Sequence, residues 1–261
     1  MRIPLYQVDA FADRVFGGNP AAICPLKEWL PAETMQAIAS ENNLSETAFY
    51  VPEGEQYLLR WFTPVAEIDL AGHPTLATAY VIFNILEPKR TSIAFRTMKG
   101  ATLNVTRRGD EIAMDFPARP PKPCDAPAAL APALGKPPVA VMAARDYLAV
   151  YERAADVAGL TPDFGALAKL DRFLVIATAP GEGGIDFVSR CFAPAHGINE
   201  DPVTGSAHCT LIPYWAGRLG KSALKARQIS KRGGALSCEH RGERVTIAGR
   251  AALYMEGTIA I

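Results

Sequence analysis

The 261-residue sequence has no surplus of charge of either sign: Lys+Arg and Asp+Glu are 27 each. A chain that binds nucleic acid normally carries a basic excess that displaces counterions from phosphate, so nucleic acid is not expected as a partner. Long apolar runs are also missing. The longest, Leu76 to Leu86, is interrupted by Asn84 and falls short of the roughly 20 residues of a membrane span. No membrane partner is expected. The N-terminal segment reaches Asp9 before any such run, so no signal peptide is expected and a cytoplasmic location follows. The five cysteines, Cys24, Cys124, Cys191, Cys209 and Cys238, are odd in number and form no CxxC pair, which argues against a disulfide framework or a thiolate cage. The histidines, His73, His196, His208 and His240, show neither HExxH nor His-x-His spacing, so no metal is expected. There is no Gly-x-Gly-x-x-Gly turn of a dinucleotide fold, and Ser206 lacks a Gly-x-Ser-x-Gly elbow.

What is present is a globular composition, 49% hydrophobic and 21% charged, arranged as two halves. Laid against itself, the chain matches Phe62-Thr63-Pro64 with Phe192-Ala193-Pro194, Ile68 with Ile198, Asp69 with Asn199 and Ala77 with Ala207. After a small insertion, Gly100 meets Gly233, Leu103 meets Leu236, and Arg108-Gly109-Asp110 meets Arg241-Gly242-Glu243. An ordered series of matches near half the length signals an internal duplication. Between the halves, Pro117 to Pro138 is crowded with proline and alanine. Proline lacks a backbone donor, so this stretch reads as a linker. The expected organisation is an N-terminal lobe over 1–117, a linker over 118–137 and a C-terminal lobe over 138–261.

Alternation and β-branched or aromatic content predict strands at IPLYQVDAF, ETAFYV, YLLRWF, SIAFRT, EIAMDF, FLVIAT, ALSCEH and RVTIAG. Helices are predicted from Pro31 to about Asn42, along PTLATAYVIFNIL, and along SAHCTLIPYWAGRLG, with Gly220 as the stop and Pro213 as a kink or early end. Strands and helices intermix without βαβ alternation, which gives an α+β class with two similar lobes.

Candidate chemistry gathers where two of these helices begin. In Asp69-Leu-Ala-Gly-His-Pro-Thr75, Pro74 suits the first helical position and makes His73 the N-cap. Histidine is not a favoured cap, so it is either a packed structural residue or a group that donates to an anion or relays a proton. His73→Asn is then expected to preserve capping and stability while removing the imidazole. In Glu200-Asp-Pro-Val-Thr-Gly-Ser-Ala207, small residues at a helix start suit an anion, with Thr204 and Ser206 as hydroxyl donors. Asp201 is either a helix cap or a group that orients or protonates a substrate. Glu46, where a helix has ended and a strand begins, reads alone as a solvated residue, and Gly17-Gly18-Asn19-Pro20 reads as a turn.

Taken together, the GGNPAA turn, NNLSETAF, DLAGHPT, EDPVTGSAH with its following Tyr-Trp pair, and RQISKRGG resemble the PhzF-like family of phenazine-biosynthesis isomerase relatives. The likeness runs from about Val8 to Gly249. It implies a diaminopimelate-epimerase-like fold: two pseudo-symmetric lobes, each a curled, mostly antiparallel β-sheet around a central α-helix, with one site between them. It implies that Glu46 is the acid/base, that His73, Asp201 and Ser206 assist it, and that Gly72, Pro74, Thr75, Thr204, Gly205 and Asn19 bind substrate. The epimerases use a cysteine at each helix mouth, and neither mouth here has one. One-base proton migration on a small unsaturated or cyclic carboxylic acid, without cofactor, is the expected reaction, and a homodimer is expected by the same resemblance. The alternative is a non-catalytic small-acid binder on the same scaffold.

Overall fold

The computed structural model describes residues 1–261. The chain divides into two compact units, Met1–Asp115 with Ala248–Ile261, and Phe116–Ile247. The first contains β1 (Arg2–Ala10), β2 (Asn19–Pro25), α1 (Ala32–Asn42), β3 (Glu46–Glu53), β4 (Gln56–Phe62), β5 (Glu67–Ile68), α2 (Gly72–Val81), β6 (Ser92–Thr97), β7 (Thr102–Arg108) and most of β8 (Glu111–Pro117). The second contains β9 (Lys122–Pro123), α3 (Leu130–Leu134), β10 (Ala140–Ala143), β11 (Tyr147–Val150), α4 (Ala154–Ala158), α5 (Phe164–Leu167), β12 (Val175–Pro180), β13 (Phe187–Ala193), β14 (Ile198–Asp201), α6 (Gly205–Leu219), β15 (Ala223–Gln228), β16 (Gly234–Arg241) and most of β17 (Arg244–Gly249). The last strand, β18 (Ala251–Ala260), pairs antiparallel with β1 and so belongs to the first unit.

One pairing order occurs in both units. In the first, β1–β2 is antiparallel, β2–β3 parallel, β3–β4 and β4–β5 antiparallel, and β4–β6 parallel. In the second, β10–β11 is antiparallel, β11–β12 parallel, β12–β13 and β13–β14 antiparallel, and β13–β15 parallel. The central helix follows β5 in one unit and β14 in the other. This is the α+β duplication the sequence suggests, with one shift. The extra residues of the second copy lie before its helix, because Phe62 is followed by a helix at Gly72 and Phe192 by one at Gly205. Gly72 therefore corresponds to Gly205, and the Ala77–Ala207 match is out of phase.

The proline-rich stretch is part of the second unit. β9 pairs with β10, and Leu130, Ala133 and Leu134 of α3 enter a core with Tyr147, Tyr151, Val157 and Phe192. The expected kink at Pro213 does not end α6. Proline at that position leaves the Cys209 carbonyl without its helical donor, and the Arg119 amide donates to that oxygen at 2.8 Å. Pro213 is thus accommodated by the segment expected to be linker, and α6 runs on to Gly220, whose φ of +65° closes it.

The central helix α2 is buried along almost its whole length, as expected of a helix apolar on every side. It ends in a π-turn, Ile82–Leu86, inside the run predicted as one helix. In the second unit Trp215 of α6 stacks on Phe187 at 5.8 Å and donates its Nε1 proton to Thr178 Oγ1 at 3.0 Å. The outer helix α1 buries Met35, Ile38 and Ala39 against a cluster that includes Phe49 and Phe62. Asn43, with φ of +47°, stops it, so that Glu46 opens β3.

The turn into β2 is held by backbone geometry. Gly18 has φ of +60°, and a Cβ built there would lie 2.1 Å from the Ala10 carbonyl oxygen. Gly18→Ala is therefore expected to cost several kcal/mol, more than the roughly 1 kcal/mol of an ordinary glycine-to-alanine effect. Urea unfolding would measure it, and a cost below about 1 kcal/mol would mean the turn readily rearranges.

Candidate active site

Three of the residues singled out in the first half converge in the first unit. Asn19 is the first residue of β2, Glu46 the first of β3 and His73 the second of α2. β2 and β3 are parallel with Ala21 opposite Glu46, which brings the starts of both strands to one end of the sheet, where α2 begins. Asn19 Nδ2 approaches His73 Nδ1 at 3.1 Å, and His73 Nε2 lies 3.0 Å from Glu46 Oε2. With the Asn19 amide nitrogen donating to Nδ1, the ring's proton sits on Nε2, the nitrogen nearest the carboxylate. All three residues are buried. The row therefore consists of an amide that selects the tautomer, an imidazole, and a carboxylate able to accept a proton.

His73 is not the N-cap. That position is Ala71, and the helix begins at Gly72. Pro74 is tolerated because the first-turn amides have no helical partner in any case. The Thr75 hydroxyl donates back to the Ala71 carbonyl at 2.6 Å, so its polar group is engaged by the backbone.

In the second unit the predicted residues are also neighbours. Asp201 ends β14, Thr204 is the N-cap of α6, and Gly205 and Ser206 are its first two residues. The Thr204 hydroxyl donates to Asp201 Oδ2, which makes it a brace for the carboxylate and not the outward donor expected. Gln228, wholly buried, clamps the loop: its Nε2 donates to the Asp201 carbonyl at 2.7 Å and its Oε1 accepts from the Thr204 amide at 2.9 Å. Ser230 Oγ donates to the Pro202 carbonyl at 2.7 Å. His208 Nδ1 donates to the Thr204 carbonyl at 2.8 Å, as Thr75 does to Ala71 in the first copy. Ser206 Oγ accepts from Arg145 Nη2 at 3.1 Å.

Gln228, His208 and Arg145 were not recognised as site residues from the sequence. Gln228 left a readable signal: β15 alternates exposed and buried positions, which puts Gln228 on the inner face, where an amide needs partners. Arg145 left none, since it reaches Ser206 from 61 positions away.

The thiols flanking the second mouth suit packing. Cys191 and Cys209 are buried, and burial pushes the Cys209 thiol up to about 11. The two copies also differ at the base. Thr47 pairs with Phe62 and Val175 with Phe192, so the residue before each, Glu46 in one copy, is Leu174 in the other.

Comparison with known proteins agrees with this fold. The family described as phenazine biosynthesis-like protein (PhzC-PhzF) matches residues 8–257. A protein of Pseudomonas aeruginosa named as an uncharacterized isomerase is 53% identical over 259 residues, 99% of each chain. The crystal structure of a PhzF-family phenazine biosynthesis protein from Enterococcus faecalis superposes with a TM-score of 0.97 at 48% identity, covering 100% of both chains. A hydroxyproline epimerase from Agrobacterium vitis shares the fold alone, with a TM-score of 0.64 at 12% identity over 100% of this chain and 93% of that one.

Two measurements follow from the geometry. Because His73 is buried between Asn19 and Glu46, His73→Asn is expected to destabilise the protein by about 1–3 kcal/mol by stripping buried polar groups of a partner. Unchanged stability in urea would contradict the pairing. His208 is neutral in the fold, its pKa pushed down to about 4, chiefly by burial, against about 6.5 when unfolded. Between those values the unfolded chain binds a proton that the fold refuses. The contribution is therefore complete above pH 6.5 and is lost as pH falls toward 4. Thermal melting from pH 7.5 to 4.5 should fall less steeply for His208→Gln than for the wild type.

Proposed function

The chain belongs to the phenazine biosynthesis-like family, and from that premise we propose that it is a one-base isomerase. On this reading it moves a proton between carbons of a small unsaturated or cyclic carboxylic acid. The observation that carries the reading is the asymmetry of the duplicated fold. The first copy aligns Asn19, His73 and Glu46 in one buried row, whereas the second has Leu174 in place of the carboxylate and Ser206 in place of the imidazole. A two-base inversion of a stereocentre needs an acid/base group from each copy. Here the second copy has no counterpart of Glu46 or His73, which favours removal and return of the proton by Glu46 on one face.

The chemistry assigned to these residues balances without a further reactant. Glu46 takes the proton of a C–H bond made acidic by an adjacent unsaturated system, and the electron pair delocalises into that system. The protonated carboxyl, whose proton exchanges with water while the intermediate persists, then delivers a proton to a different carbon, re-forming a C–H bond. His73, whose Nε2 lies 3.0 Å from Oε2, stabilises the carboxylate when it is ionised. Asn19 holds the imidazole in the tautomer that makes this possible. Asp201, braced by Thr204 and Gln228, is assigned to orienting or protonating a substrate group, and Ser206 with the amides of Gly205 and the Gly72–Thr75 turn to holding the substrate. Gln228 is a positioning residue, since it acts through the Asp201–Thr204 loop.

Proton exchange in heavy water tests the proposal. A panel of unsaturated and cyclic acids, including dihydro-hydroxyanthranilate, would be given to the wild type and to Glu46→Gln and followed by NMR. Deuterium should enter a carbon position of one compound with the wild type and fall by about 100-fold or more with Glu46→Gln. Exchange that survives Glu46→Gln would remove the carboxylate from the mechanism. Tight binding without exchange would favour a small-acid binder.

A further inference from the structure

Each central helix receives, at its second residue, a side chain from the start of its unit's first parallel strand or the turn just before it. In the first unit this is Asn19 on His73; in the second it is Arg145, from the turn between β10 and β11, on Ser206. The two donors differ in kind. Arg145 donates through Nε and Nη2 to both carboxylate oxygens of Asp146 at 2.9 Å each, and Nη2 also reaches Ser206 Oγ. Its guanidinium carbon lies 4.7 Å from the centroid of the Phe173 ring. Asp146 is wholly buried, whereas the Arg145 side chain is 33% exposed. Nη1 takes no part in these bonds.

A buried carboxylate paired with a guanidinium adds little net stability, because desolvation offsets most of the attraction. What two parallel bonds and a ring face do achieve is orientation: they fix the plane of the guanidinium and leave one edge beside the Ser206 hydroxyl. A fixed, partly exposed guanidinium edge beside a hydroxyl at a helix N-terminus matches the two oxygens of a carboxylate.

We propose that Arg145 is a specificity-determining residue, whose guanidinium binds a carboxylate of the substrate together with Ser206 and so confines the site to acids. Asp146 is then a positioning residue that acts through Arg145. The word substrate rests on the isomerase reading above; the anion subsite rests on the second unit alone.

The test reads binding without turnover, so its failure and a failure of the exchange experiment are separate events. Cyclohex-1-ene-1-carboxylate and the uncharged cyclohex-1-ene-1-carboxamide would be titrated by NMR into wild type, Arg145→Gln, Arg145→Lys, Ser206→Ala and the Ser206→Ala/Arg145→Gln double variant. The wild type should bind the acid at least tenfold more tightly than the amide. Arg145→Gln should weaken the acid tenfold or more and the amide less than twofold, with Arg145→Lys in between. Equal affinity for acid and amide, including binding of neither, would overturn the proposal. So would an Arg145→Gln effect under twofold, or one that vanishes in the Ser206→Ala background, which would show that Arg145 acts only through the serine. If Arg145→Gln does not fold because it strands the Asp146 charge, Arg145→Gln/Asp146→Asn replaces it as an uncharged pair under the same criteria.

Discussion

A helix buried on every side can offer chemistry only at its ends, because any polar side chain along its length must find a partner inside the fold. The rest of this structure depends on that constraint. Along α2 the two buried threonines turn back on the helix, Thr75 to the Ala71 carbonyl and Thr78 to the Pro74 carbonyl, and neither is left for a ligand. The N-terminal turn is different, since its amides have no helical partner. The starts of β2 and β3 meet it there, bringing Asn19 and Glu46 to His73. The same pressure acts on α6, where Thr204, Gln228 and Arg145 serve the residues of the first turn.

The duplicated topology explains why the two helix mouths are built alike and why they differ. Equivalent strands deliver side chains to equivalent helix positions, so each copy has a brace from its fourth helical residue to its N-cap carbonyl. Within that shared frame the side chains have separated in chemistry. The first copy has a carboxylate, an imidazole and an amide, all suited to proton traffic. The second has a leucine in place of Glu46, and an aspartate, an arginine and a serine at its mouth, suited to orienting and holding a polar group. Family membership fixes the fold and the general class, and this division of labour is what the one-base reading draws upon.

Much of the fold was legible in linear sequence because it is written in local patterns. The strand at SIAFRT, the helix ending at Asn42 and the stop at Gly220 follow from alternation, periodicity and turn chemistry within a few residues. Local rules fail where a distant segment overrides them. Pro213 does not break its helix because Arg119, far away in sequence, supplies the missing donor. His73 is not a cap because Asn19 and Glu46 hold it two residues further in. The proline-rich stretch is not a simple linker because Leu130 and Leu134 have a core to enter.

The sequence alone determined the duplication, the class of the fold, and the identity of His73, Asp201 and Ser206 as residues to watch, since motif spacing and repeat order are properties of the chain; Glu46 joined them only through the family resemblance. Only the tertiary structure decided which of them touch. The tautomer of His73 depends on an amide 54 positions away, and the charge beside Ser206 on a guanidinium 61 positions away. Separations of that size carry no periodic signal. They become contacts only when parallel strands and a buried helix bring their ends to the same place.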